Sequence, residues 1–203
     1  MQRRSLAHDL IRIAFAATGI VAMTYQYTRL QPVPTFRPAN FFSFFTIQSN
    51  VFAATALVLT ALVRREERTR TFDAMRGAAT FSIAVTGAVF ALLLSGHQEQ
   101  LETHNPFANF VVHYLIPVVL VVDWLVDPPT RRLSLRLALA WLAYPFAWFV
   151  YTLIRGHFAH WYPYPFVDVS EHGYGGVLLR GVVFLAAFAA GAAAFTRVAR
   201  PRP

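Results

Sequence analysis

Long apolar runs, separated by short polar clusters, dominate this chain. Six of them, at residues 10–28, 43–63, 75–95, 107–126, 134–154 and 174–196, reach the length of about 20 helical residues that a bilayer core of roughly 30 Å requires. Lipid offers the backbone no hydrogen-bond partners, so each run is expected to be a helix. The pattern therefore predicts an all-α fold: a single-domain, polytopic integral membrane bundle of about six transmembrane helices joined by short loops. The first run reads as a span and not as a signal peptide. It is too long for a signal core, it contains Arg12, and the QPVPTF that follows is a poor cleavage site.

Composition supports this reading and adds an orientation. Only 14% of the 203 residues are charged, against about 25% in soluble domains. The formal charge of +8 does not indicate a nucleic-acid partner, because the basic residues sit in clusters between apolar runs and form no stripe. All 18 basic residues are Arg. Fourteen of them flank the first run, fill the second and fourth connections or lie in the tail. Arg29, Arg37 and Arg155 occupy the other connections, and Arg180 lies inside the last run. Cytoplasmic loops carry the positive excess, so both termini are expected to be cytoplasmic, with the chain in the plasma membrane. The absence of cysteine excludes disulfides and thiolate chemistry. The histidines of HQEQLETH (His97 to His104), and His157 with His160, match no familiar ligand spacing, so neither metal nor cofactor is expected.

Polar residues within the spans are costly and mark candidate sites. In FFSFFTIQSN, Thr46, Ser49 and Asn50 share one helix face; in NPFANFVVHYLIP, Asn109 and His113 share another. Both helices enter from the same side, and helical rise brings Thr46 and His113 to similar depth. A hydroxyl becomes a nucleophile when an imidazole removes its proton. The spacing also fits two ordinary packing residues, with Thr46 bonded to the carbonyl of Phe42 one turn back. Pro117 cannot donate to the carbonyl of His113, so a kink is expected there, and Pro145 predicts another. Asp123 lies ten residues beyond His113, about 15 Å along the helix. It is expected to pair with Arg76 or Arg131, not with His113. Arg180 is expected either to pair with Asp168 or to bind a lipid carboxylate or phosphate. The outer connection RGHFAHWYPYPFVDVSEHGYGG, with Trp161, Tyr162, Tyr164 and Phe166, is expected to form an ordered lid. Alanines four apart in the last run (Ala186, Ala190, Ala194) suit close helix packing.

FFSFFTIQSN, NFVVHYLIPVVLVVDWLV, WLAYPFAWFVYTLIRG and WYPYPFVDV with GYGGVLL, taken in order, resemble a bacterial family of six-helix membrane proteins. That family is more distantly similar to the eukaryotic androgen-induced membrane hydrolases, threonine hydrolases that cleave fatty acid esters of hydroxy fatty acids. The resemblance implies a catalytic Thr at Thr46 and a catalytic His at His113, acting on a membrane lipid ester. Asn50, Asn109 or Ser49 would then serve as oxyanion donors, and Asp168 as a partner for His113. A small transporter or lipid-binding protein using the same polar pocket is the alternative. It would spread its polar residues through the full membrane depth.

Overall fold

A computed structural model describes residues 6–96 and 105–198. His97 and His104 lie outside the described residues. The described residues form seven helices: α1 (Leu6–Leu30), the short α2 (Pro38–Ser43), α3 (Phe45–Leu62), α4 (Arg70–Leu94), α5 (Pro106–Val126), α6 (Leu135–Ala159) and α7 (Val169–Val198). All except α2 are long and apolar enough to cross a membrane, so the protein is an all-α polytopic bundle. Helix α3 is central and contacts α1 and α4 most, whereas α7 packs on the periphery.

The boundaries differ from the hydropathy pattern mainly around the last connection. Helix α6 runs on through His157 to Ala159, and α7 opens with a short piece from Val169 before Gly173, its long span starting at Tyr174 where the hydropathy run starts. At the end of α6 the polar residues lower the hydropathy without breaking the backbone ladder, whereas in α7 the ladder is interrupted at Gly173. Within α7, Gly173 adopts φ 65°, a left-handed conformation open to glycine, and kinks the helix there.

Each proline is preceded by an irregularity in the α-helical hydrogen bonding, with different local geometry. Pro145 has no N–H for the carbonyl of Trp141, and α6 is interrupted over Trp141–Leu142, one turn upstream. Ahead of Pro117 the helix widens into a π-turn over Val111–Leu115, in which the Ile116 amide donates to the Val111 carbonyl. The carbonyls of Val112 and His113 both lose their helical donors. The bare face of Gly87 accommodates the second, since a Cβ there would lie 3.2 Å from His113 O. A second π-turn, Phe90–Leu94, ends α4 beside it.

One end of the bundle is tied by charge. Asp123 accepts from Arg12 Nε at 2.7 Å, Arg76 at 3.2 Å and His8 at 3.1 Å. Asp127 accepts from Arg12, Arg68 and Arg65. Of the partners expected for Asp123, Arg76 is present and Arg131 is not. The first helix supplies the rest, a pairing that local spacing does not reveal.

Candidate active site

Thr46, His113 and Tyr164 meet at the opposite end of the bundle, all buried. Thr46 gets there through a break in the helix. Trp148 Nε1 donates to the Ser43 carbonyl at 2.9 Å, and the Ile47 amide bonds Phe44 O instead. Phe44 is extended (φ −64°, ψ 129°), so α3 starts afresh at Phe45 with Thr46 in its first turn. The bond from Thr46 to Phe42 O is therefore not made. Thr46 Oγ1 lies 3.2 Å from His113 Nε2 and 3.1 Å from the Tyr164 hydroxyl, while Thr46 N–H donates to that hydroxyl at 3.2 Å.

The π-turn of α5 carries His113 and fixes its ring. Nδ1 lies 2.8 Å from Asn109 Oδ1 and 3.2 Å from the backbone carbonyl of Asn109. A carbonyl only accepts, so Nδ1 carries the proton and Nε2 presents its lone pair to the Thr46 hydroxyl. Phe90, from the neighbouring π-turn, stacks on the imidazole with centroids 3.8 Å apart and planes 15° from parallel. Asn50 ties the two helices together. Its Nδ2 donates to Thr46 O at 2.9 Å and to Val112 O, the carbonyl freed by the π-turn, at 3.1 Å.

Tyr164 is held from the lid side. After α6, His160 takes a left-handed conformation (φ 49°), and the Tyr162 ring lies where a Cβ on Gly156 would be. The chain then folds back and drives Tyr164 inward, stacked on Phe166 and edge-on to Phe44. Tyr164 is a buried partner of Thr46 and not an interfacial anchor. Its position in WYPYPF gave no signal that would set it apart from Tyr162.

Several sequence-level candidates do other work. Ser49 lies 2.8 Å from the Thr86 hydroxyl and donates to Thr46 O, so neither Ser49 nor Asn50 has a donor directed at a reacting carbonyl. Asn109 orients His113. Asp168 accepts from Ser170 N at 2.8 Å and Oγ at 2.5 Å at the start of α7, and lines neither cavity at the site. The place imagined for it beside His113 belongs to Asn109. Arg180 forms no ion pair among the described residues, and so none with Asp168; its guanidinium lies against Gly176.

Two cavities flank Thr46 and Tyr164. The larger, about 210 Å³, is walled almost wholly by apolar side chains of α4, α6 and α7 and by the lid. Its rim includes Phe146, Leu178 and Val182, all exposed on the outer surface of the bundle. The smaller, about 30 Å³, adjoins His113 and is lined by Gln26, Arg37 and Asn40 among others. No group of metal-binding residues occurs among the described residues. No family model, curated protein or solved structure matches this chain.

Proposed function

We propose that this protein is a membrane-embedded hydrolase of lipid esters that uses Thr46 as nucleophile and His113 as general base. The observation that carries this reading is the oriented pair: Thr46 Oγ1 at 3.2 Å from an imidazole nitrogen whose partner nitrogen is locked as a donor to Asn109. Nucleophile, base and orienting group are the minimum set for acyl transfer, and the distances fit a resting site.

His113 Nε2 takes the Thr46 proton as Oγ1 attacks the ester carbonyl. The proton then passes to the leaving alkoxide as its C–O bond breaks, which leaves an acyl-threonine and a free alcohol. Water, deprotonated by the same nitrogen, attacks the acyl carbon, and Thr46 recovers its proton as the carboxylic acid departs. With Thr46 donating to His113, the Tyr164 phenol donates to Thr46 Oγ1. As Oγ1 becomes bonded to carbon, the developing oxyanion beside it is the nearest acceptor for that phenol, which makes Tyr164 the oxyanion donor. Loss of one such donor costs on the order of 10²–10³ in kcat in known hydrolases. The arginine asymmetry supports a site in the outer half of the plasma membrane, with both termini cytoplasmic.

Labelling of the purified protein by an alkyl fluorophosphonate tests the reading. The wild type should be labelled on Thr46, and Thr46→Ala and His113→Ala should not be labelled while remaining folded. A folded wild type that resists the probe and hydrolyses no ester would rule the reading out.

A further inference from the structure

The two cavities differ in ways that give the substrate a direction. Thr46 and Tyr164 line both, so the reacting oxygen sits at their junction, and an ester bound there sends one substituent into each. His113 lines only the smaller cleft. The imidazole must protonate the leaving oxygen, so the alcohol half belongs on its side and the acyl half occupies the apolar chamber.

The cleft is too small for a second long chain, and among mostly apolar walls it carries the polar groups of Gln26, Arg37 and Asn40, which the chamber lacks. Gln26, on α1, is 7% exposed and has no hydrogen-bond partner among the described residues. Its amide is not sealed in protein as Asn50 Oδ1 is, and the space it lines is this cleft. Asn40, held by Arg155 at 2.6 Å, and the exposed Arg37 also line it. A side chain held at 7% exposure with its amide open to the cleft suits a ligand that brings hydroxyl groups.

We propose that the cleft is the alcohol subsite of the hydrolase described above, and that the substrates are esters of one long apolar acyl chain with a small polyol such as glycerol. Gln26 hydrogen-bonds a hydroxyl of that alcohol. The released polyol and the incoming water use the cleft, and the fatty acid leaves through the chamber mouth between α6 and α7. The inference rests on the Thr46–His113 reading.

The test compares kcat/KM for two esters of the same long-chain acid, one with glycerol and one with a long-chain alcohol, on the purified protein in detergent. The glycerol ester should be preferred by about three- to tenfold, the scale of one well-placed hydrogen bond, and Gln26→Leu should carry the ratio towards one. Val182→Trp, at the rim of the chamber, should penalise a long-chain glycerol ester relative to the acetyl ester. A fluorophosphonate-labelled wild type that prefers the long-chain alcohol ester overturns the assignment, as does a Gln26→Leu protein with the wild-type ratio. A folded wild type that takes no label and hydrolyses neither ester overturns the hydrolase reading itself, which separates the two failures.

Discussion

Replacing Asn109 by Ala probes how His113 is held. Nδ1 has two acceptors, Asn109 Oδ1 at 2.8 Å and the backbone carbonyl of the same residue at 3.2 Å. The substitution removes the first and leaves the second. Where a substitution flips the imidazole into the wrong tautomer, as in serine proteases, kcat falls by about 10⁴. Here the backbone carbonyl still requires a donor at Nδ1, so the tautomer should survive and only orientation should suffer. One neutral hydrogen bond contributes about 0.5–1.5 kcal/mol, which converts to a fall of no more than about tenfold in rate. The rate of fluorophosphonate labelling, measured on monodisperse folded protein, reads this directly. Asn109→Asp restores an acceptor and should recover most of the loss. No change in Asn109→Ala would show that the side chain orients nothing. A fall of about 10³ or more would show that the backbone carbonyl does not hold the ring, and the argument from two acceptors would fail.

Asp123→Asn should lower stability by about 3 kcal/mol, because it weakens the hold on the buried guanidinium groups of Arg12 and Arg76. Labelling per folded molecule should be unchanged, and a stable variant that takes no label would place the chemistry at the charged end. Gly87→Ala should cost about 1–3 kcal/mol by overpacking, since its Cβ would lie 2.9 Å from Pro117 Cβ and 3.2 Å from His113 O. It should also slow labelling, and normal stability together with a normal rate would contradict the tight packing of α4 on the π-turn. The Asp127 carboxyl, which burial alone would raise, is lowered to about 2 by Arg76, Arg68 and Arg12. Its folded value lies below the unfolded value of 3.8, so it stabilises the fold by about 2 kcal/mol above that value, and the contribution is lost as pH falls towards 2. Thermal melts from pH 6 to 3 in detergent should be flat above about pH 5 and decline below 4, less steeply in Asp127→Asn. An equally steep decline in that variant would assign the acid loss to other groups.

Helix number, helical state and the intramembrane polar residues were legible in the sequence because the bilayer imposes them. An apolar run of fixed length has few other structures open to it, and a polar side chain within it stands out. Depth could also be counted from helical rise, which matched Thr46 with His113 and kept Asp123 away from both. The local sequence also carried the irregularity ahead of each proline, since a missing N–H removes a helical bond wherever it occurs. Contacts between distant segments were decided by the tertiary structure. Arg12 on Asp123, Asn50 on the carbonyl freed in α5, and Phe90 on His113 each join residues at least 23 positions apart. Asn109 shows the same limit on a smaller scale: its face was predictable, but the rotamer that aims Oδ1 at Nδ1 depends on the π-turn. Tyr164 shows it most clearly. WYPYPF reads as an interfacial belt, and only the left-handed turn at His160 and the bare face of Gly156 send one of its rings inward to Thr46. Hydropathy reports how each residue partitions between water and lipid, whereas the direction in which a loop side chain points depends on what packs against it.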